Sequence, residues 1–422
     1  MPKVVLTTIG TLGDLHPFIA IGRALRRRGA EVVLGVPQDH VDRVRAAGLV
    51  AAPVLPGFAE IAAATGLDEE TVIRRVMADT GGFLFDKVLL PNLSRSAAAL
   101  DVIAADADVL VASLFMFAAP IVAEKRKLPF VPVVLQPMTL FSAFDPPRTP
   151  DAWMLRRSPN GGLGRGWNRL IFATVRKTLA YRYGGRVDAV RVEHGLARNR
   201  HGPSLTPSAD AASVLCCWSP LMGPLPPDAS PRAVLTGFPI YDGEAVTLDA
   251  ELTDFLRSGP PPLVFTLGSF AVYAPGDFYD QAAEAARRLG LRAVLLMGEQ
   301  ASVPPDRAVL ARDYVPHSAL FPHAAAVIHH GGVGTTAQAL LAGKPQLIVP
   351  HMGDQYDNGW RVERLGAGRN LRSERFGAAT AAAMLSELLD DPSCLAAAER
   401  AAAEMRREDG AELAADAVLA SI

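Results

Sequence analysis

The first 36 residues already confine the chain to a few folds. Residues 3–8 (KVVLTT) form a short apolar run of the kind a buried parallel strand shows. A loop with Gly10 and Gly13 follows. Residues 17–28 then place Phe18, Ile21 and Leu25 at helical spacing, with Arg26, Arg27 and Arg28 in the last turn. Gly29 supplies the left-handed residue that ends such a helix, and residues 31–36 (EVVLGV) are a second apolar run. Strand, helix and strand in so short a span make a βαβ unit, so the sheet is expected to be parallel. Residues 109–115 and 130–135 continue the pattern, with a helix between them.

Around residues 223–262 the texture changes. Pro224, Pro226, Pro227, Pro231, Pro239 and the run 260–262, with Gly223, Gly237, Gly243 and Gly259, interrupt any regular element. The alternation then restarts, with strands expected at 263–267, 292–297, 325–329 and 346–350 and helices at 276–289, 335–341 and 355–365. The reading is α/β: two tandem Rossmann-like, doubly wound domains, 1–236 and 245–422, joined by a linker at 237–244. The last helix is a candidate to pack back on the first domain. Ligands in such sheets bind at the carboxyl ends of strands, so the active site is expected in the interdomain cleft.

Composition agrees and excludes several classes. A chain of 422 residues exceeds what one core supports, and 50% hydrophobic content supplies two. A net charge of −2 argues against a dedicated nucleic-acid binder. Cys216, Cys217 and Cys394 form no C-x-x-C spacing, so neither a disulfide framework nor a zinc site is implied. The N-terminus does not read as a signal peptide, and the longest apolar run, about 15 residues, is shorter than a membrane span. A cytoplasmic protein is expected.

Residues 156–200 stand apart. They carry ten arginines and one lysine against Asp188 and Glu193, a net of +9, which leaves about −11 on the remainder. Aromatic residues are interleaved. This stretch reads either as an arginine-rich solvated helical face or as a contact for an anionic membrane, which would make the protein peripheral to it.

The chemistry concentrates in residues 329–358. A strand runs into the turn Gly331-Gly332-Val333-Gly334, and Thr335-Thr336 open a helix. Glycines admit a close ligand, and the unpaired N–H groups at a helix start favour an anionic diphosphate. His330 beside the turn can donate to a phosphate oxygen. Asp354-Gln355, one strand later, offer the acceptors and donors that sugar hydroxyls require. Other motifs fail. No G-x-G-x-x-G follows the first strand, Gly343-Lys344 is followed by Pro345 rather than Ser or Thr, and Asp106-Ala107-Asp108 precedes a strand instead of following one.

These residues resemble the donor signature of the UDP-glucuronosyl/UDP-glucosyl transferase superfamily, whose fold is termed GT-B. The similarity is to its bacterial macrolide and glycopeptide branch, the sterol glucosyltransferases and the rhamnolipid rhamnosyltransferase. The opening TIGTLGDLHPFIAIGRALRRRGAEV resembles their first strand, loop and helix. The resemblance implies that His330, Gly332, Gly334 and Thr335 hold the donor phosphates, and that Asp354 and Gln355 hold the sugar. It places Ser269 on the loop closing over the diphosphate, and Tyr314 and Val315 where the nucleotide base is received.

It also puts Asp14 where many members carry the histidine that deprotonates the acceptor. His16, two residues on, has an ordinary pKa better matched to neutral pH and is the second candidate. Phe115, Phe117 and Phe141 belong either to an apolar acceptor pocket or to the core. The implied activity is an inverting, metal-independent transfer of a sugar from a UDP- or dTDP-sugar to a hydroxyl of a lipophilic polyketide, macrolide, sterol or lipid. No cofactor is expected beyond that co-substrate. An epimerase of the same fold, or a degenerate nucleotide-sugar-binding auxiliary protein, are the alternative readings.

Overall fold

The computed structural model describes the chain except residues 80, 159–160, 204, 208–209, 242, 244–247 and 299–306, and the side chain of residue 270. Two residues of the expected linker, Asp242 and Glu244, lie outside the described residues. The chain divides into two compact units, Met1–Tyr241 with Asp409–Ile422, and Asp242–Glu408.

The first unit is built on seven strands: β1 (Lys3–Thr7), β2 (Glu31–Pro37), β3 (Val50–Leu55), β4 (Val109–Ser113), β5 (Phe130–Val134), β6 (Val214–Cys216) and β7 (Ala233–Leu235). All pair in parallel, in the order β3-β2-β1-β4-β5-β6-β7. The chain leaves β1 towards β2 on one side and returns to pair β4 on the other. Ligands gather above such a reversal, at the strands' carboxyl ends. The central strands are buried on both faces, which is why their sequences are continuous apolar runs rather than alternating ones.

Two helices of this unit matter below. Leu12–Arg27 starts on a capping box, with Thr11 Oγ1 accepting from Gly13 N–H and Asp14 accepting from Thr11 N–H. Its other end meets Gly410–Leu419. Glu412 pairs with Arg27 and Arg28, and Asp416 accepts from Arg28 Nε at 2.8 Å. A side chain on Gly410 would fall within 2.8 Å of the Gly237 carbonyl carbon, so only a glycine lets the two backbones touch there. The second helix, Gly161–Glu193, has 33 residues. Among the described residues no helix is long and apolar enough to cross a membrane.

The second unit has six parallel strands: β8 (Leu263–Thr266), β9 (Ala293–Leu296), β10 (Val309–Arg312), β11 (Ala326–His329), β12 (Gln346–Ile348) and β13 (Gly368–Asn370). Their order is β10-β9-β8-β11-β12-β13, so the reversal falls between β8 and β11. Leu252, Val264, Val294, Leu320, Phe321 and Val327 pack together on one face of this sheet. The three cysteines are buried thiols, and burial pushes Cys217 up to about 12.

Candidate active site

In the second unit the loops leaving β8 and β11 meet at the reversal point. The first contains Gly268, which opens the short helix Gly268–Ala271 carrying Ser269. The second runs His330-Gly331-Gly332 into the helix Val333–Leu341, with Gly332 as N-cap and no side chain satisfying the first-turn donors. Those N–H groups are left for a ligand.

His330 is wedged between the two loops. A Cβ on Gly268 would lie 2.9 Å from His330 Nε2, and a Cβ on Gly332 only 3.0 Å from His330 Cε1. Both glycines are therefore needed for the Cε1–Nε2 edge of the imidazole to fit between the two loops. Burial, with the neighbouring His329, His351 and His317, pushes His330 well below the usual histidine range. The ring is neutral at pH 7. Its Nδ1 is shielded from solvent and has no hydrogen-bond partner among the described residues. A neutral imidazole with such a nitrogen can donate one N–H to an anionic oxygen without bringing a second charge into the site.

Three polar atoms around the same turn are likewise buried and unpartnered among the described residues: Thr336 Oγ1, His351 Nε2 and Asn358 Oδ1. Buried polar groups are ordinarily bonded, so a cluster of orphans marks where a polar ligand completes the network. Of these three, the sequence drew attention only to Thr336, at the opening of the helix. The signal was only partial, in the His329-His330 doublet and the Asp354–Asn358 helical spacing.

His329 shapes the turn from beneath. Its Nδ1 accepts from Gly331 N–H at 3.0 Å, which leaves the proton on Nε2 to donate to Gln346 Oε1 at 2.8 Å. Burial holds its pKa down to about 4, although Gln346 works in the opposite direction. An unfolded histidine takes up its proton near pH 6.5. Between those values the unfolded chain binds more protons, so stability rises with pH. The contribution of His329 is full above about pH 6.5 and falls by about 3 kcal/mol as pH drops towards 4. Urea unfolding of the wild type should weaken over that interval, and His329→Gln should flatten the slope. An unchanged slope in the variant would remove His329 as the cause.

Asp354 and Gln355, the pair expected to face the sugar, are arranged asymmetrically. Asp354 opens the helix Asp354–Leu365 after Gly353, and Asn358 Nδ2 donates both to Asp354 Oδ2 and to Gly331 O, each at 2.9 Å. The carboxylate is thereby tied to the glycine turn through Asn358. Gln355 turns its Oε1 onto the N–H groups of His351 and Met352, at 2.8 and 3.1 Å. Both lone pairs of that oxygen are used, so a ligand contact from Gln355 comes from its Nε2. Thr335 is buried in the first turn, and Gly334 lies beside it. Tyr314 follows β10 with its side chain 55% exposed, as a stacking surface would be. Val315 sits in the core, so it can serve a nucleotide only through its backbone.

In the first unit the loops after β1 and β4 lie at the other reversal. Asp14 is there, and His40 Nε2 donates to Gly10 O at 2.9 Å, bracing the loop that precedes it. Gly10, at φ +98°, takes a conformation few other residues adopt, and a side chain there would run into the Asp14 carboxylate. His16 departs from expectation. Burial, with Arg43 and His40 nearby, lowers it to about 4, so it is not matched to neutral pH. Its ring meets Tyr241 edge-on at 5.4 Å. Ser113, at the end of β4, has a buried hydroxyl with no partner among the described residues.

The three phenylalanines separate. Phe117 is 6% exposed and packs on Phe85 in the core, while Phe115 is at the surface. Phe141 is held at φ +49°, a strained state for a bulky residue. It packs edge-on against Phe172 at 5.5 Å and lines a cavity of about 170 Å³ with Phe172, Val175, Leu179 and Leu205. Among the described residues no group of three or more His, Cys, Asp or Glu is placed to hold a metal ion.

Each unit is a parallel α/β sheet with its candidate residues at the strands' carboxyl ends, and comparison with known proteins gives the class as glycosyltransferase. Residues 4–144 match the glycosyltransferase family 28 N-terminal domain, and residues 296–418 match the erythromycin biosynthesis protein CIII-like C-terminal domain. The chain is 30% identical to O-mycaminosyltylonolide 6-deoxyallosyltransferase of Streptomyces fradiae, over 97% of this chain and 95% of that one. It is 32% identical to vancomycin aglycone glucosyltransferase of Amycolatopsis orientalis, over 87% and 85% respectively. The glycosyltransferase VinC, solved in complex with dTDP, superposes with a TM-score of 0.68 at 24% identity, over 99% of each chain. The chain belongs to the UDP-glycosyltransferase superfamily of GT-B fold and is a glycosyltransferase.

Proposed function

We propose that the protein moves a hexose from a UDP- or dTDP-sugar to a hydroxyl of a lipophilic small molecule, of the polyketide, macrolide, sterol or lipid kind, with inversion and without a metal ion. The observation that carries the donor half is the neutral His330 ring wedged between Gly268 and Gly332 at an open helix N-terminus. Relatives named for transfer to O-mycaminosyltylonolide, to vancomycin aglycone and to sterols support the acceptor class. The dTDP bound to VinC supports the nucleotide.

The acceptor oxygen attacks the anomeric carbon on the face opposite the diphosphate. The bond to the new oxygen forms as the bond to the diphosphate breaks, and Asp14 takes the hydroxyl proton. Charge accumulates on the departing phosphate, where the N–H groups of Val333, Gly334 and Thr335 and one N–H of His330 receive it. Fixed donors of this kind are already oriented before the reaction, so a divalent cation is not required for charge neutralisation.

A thermal-shift series with UDP, dTDP, GDP, ADP and NAD tests the donor half. A nucleotide at a hundred times its dissociation constant stabilises the fold by about 2.7 kcal/mol, and the melting temperature should rise with UDP or dTDP alone. A shift with NAD, or with none of the five, refutes the reading.

A further inference from the structure

We propose that the outward face of the Gly161–Glu193 helix, with the adjoining Trp153 and Met154, docks the protein onto an anionic membrane surface. This goes beyond the sugar-transfer reading and does not depend on it.

At about 100° per residue, Leu163, Trp167, Leu170 and Tyr181 project within a narrow arc on one side of the helix. Asn168, Phe172, Tyr183, Val187 and Val190 are buried on the other. The buried side is secured to its own unit. Asn168 Oδ1 accepts from Arg156 N–H at 2.8 Å, and its Nδ2 donates to Arg156 O at 3.1 Å. A helix packed on one side by its own domain ordinarily shows polar residues on the other. Here Leu163 and Tyr181 are each 94% exposed and Trp153 is 75% exposed. The Trp167 indole N–H donates to Met154 O at 2.8 Å, so the loop and the helix form one surface.

Cations border this apolar strip on its flanks: by the same count Lys177 lies about 40° from Leu163 and Arg182 about 100°, with Arg156 and Arg157 in the adjoining loop, while Arg165, Arg169 and Arg176 lie towards the packed side. Residues 152–187 contain no Asp or Glu. Arg182 and Arg186 are both engaged with Asp86. Arg156, Arg157, Arg165, Arg169, Arg176 and Lys177 have no carboxylate partner among the described residues, and Arg165 and Arg169 lie over the Phe144 ring at 4.7 and 5.8 Å. Leucine, tryptophan and arginine in this arrangement suit a helix lying in the headgroup plane, with indoles at the interface and guanidinium groups on phosphates. The charge balance fixes the orientation. The segment 156–200 carries +9 while the remainder carries about −11, so an anionic surface attracts this face and repels the rest.

Co-sedimentation of the full chain with vesicles decides the matter. Vesicles of phosphatidylcholine with an equal part of phosphatidylglycerol should take up the protein at least about tenfold more strongly than phosphatidylcholine alone, and about 1 M salt should release it, since screening then acts within about 3 Å. Leu163→Gln with Leu170→Gln should weaken uptake by roughly tenfold or more. Arg157→Gln with Lys177→Gln should do the same for the charge component. These side chains are exposed, so melting temperature and nucleotide-induced shifts should match the wild type, which separates loss of docking from loss of fold or donor binding. Absence of uptake on both vesicles, equal uptake on both, or variants that bind as the wild type does would each overturn the proposal. The first of these would leave the face to a protein partner.

Discussion

Asp14→Asn is expected to lower the turnover of sugar transfer by roughly 10²–10⁴-fold, the range that a positioned general base supplies. The substitution is chosen for what it preserves. Asp14 occupies the third position of the Leu12–Arg27 helix and accepts from Thr11 N–H at 3.1 Å. An asparagine keeps an oxygen at that place, so the cap and the helix start survive while the capacity to accept a proton is lost. Nucleotide affinity should stay within a few-fold of wild type, because the phosphate turn belongs to the other unit. Transfer assays beside nucleotide calorimetry read both quantities. Full activity in the variant would exclude Asp14 as base and leave His16, whose burial to a pKa of about 4 gives it no advantage over a carboxylate at neutral pH.

The second large effect is expected from one methyl group. Gly332 sits at φ −59° and ψ 143°, backbone that any residue adopts, so Gly332→Ala carries no conformational penalty of its own. Its Cβ would nevertheless press on the His330 ring, 3.0 Å from Cε1. Displacing the imidazole removes a hydrogen bond to a charged phosphate, a loss of about 1.5–3 kcal/mol, or roughly 10–100-fold in affinity for UDP or dTDP. His330→Ala should cost a similar amount. Because the methyl group acts only by moving the ring, the double variant should bind nearly as well as His330→Ala alone rather than showing both losses. Additive losses would mean that Gly332 acts on the ligand directly, and unchanged affinity in both single variants would remove His330 from the donor site.

The long apolar runs made the central strands legible. Residues 3–8, 31–36, 109–115, 130–135, 263–267 and 325–329 read as strands because burial on both faces leaves no polar alternation to confuse the period. The flanking strands β6, β7 and β13 have three residues each and mixed character, too short for periodicity to register. The 33-residue helix appeared in the sequence only as an arginine-rich, helix-like face without bounds, since its glycines and its two apolar faces blur a 3.6-residue pattern. At the candidate site, the glycine turn and the position of Asp354 at a helix start were readable from local order. The clamp on His330 was not, because Gly268 is 62 positions away in sequence and only the pairing of β8 with β11 brings it alongside. His329 was passed over for the same reason. Its role depends on Gln346, which the parallel crossover delivers from the next strand.

The return of Gly410–Leu419 to the helix Leu12–Arg27 has a consequence for biosynthesis. Residues 242–408 form an unbroken stretch of chain, so that unit has all its parts before residues 410–419 are made. The first unit emerges earlier but lacks this helix until residues 410–419 have been made. Its opening helix, with Arg27 and Arg28 awaiting Glu412, stays uncovered on a nascent chain while the later segment acquires its sheet. Maturation therefore runs against the order of translation at this one joint, and a ribosome paused with residue 408 just clear of the exit tunnel would hold a chain whose second unit is finished and whose first is not.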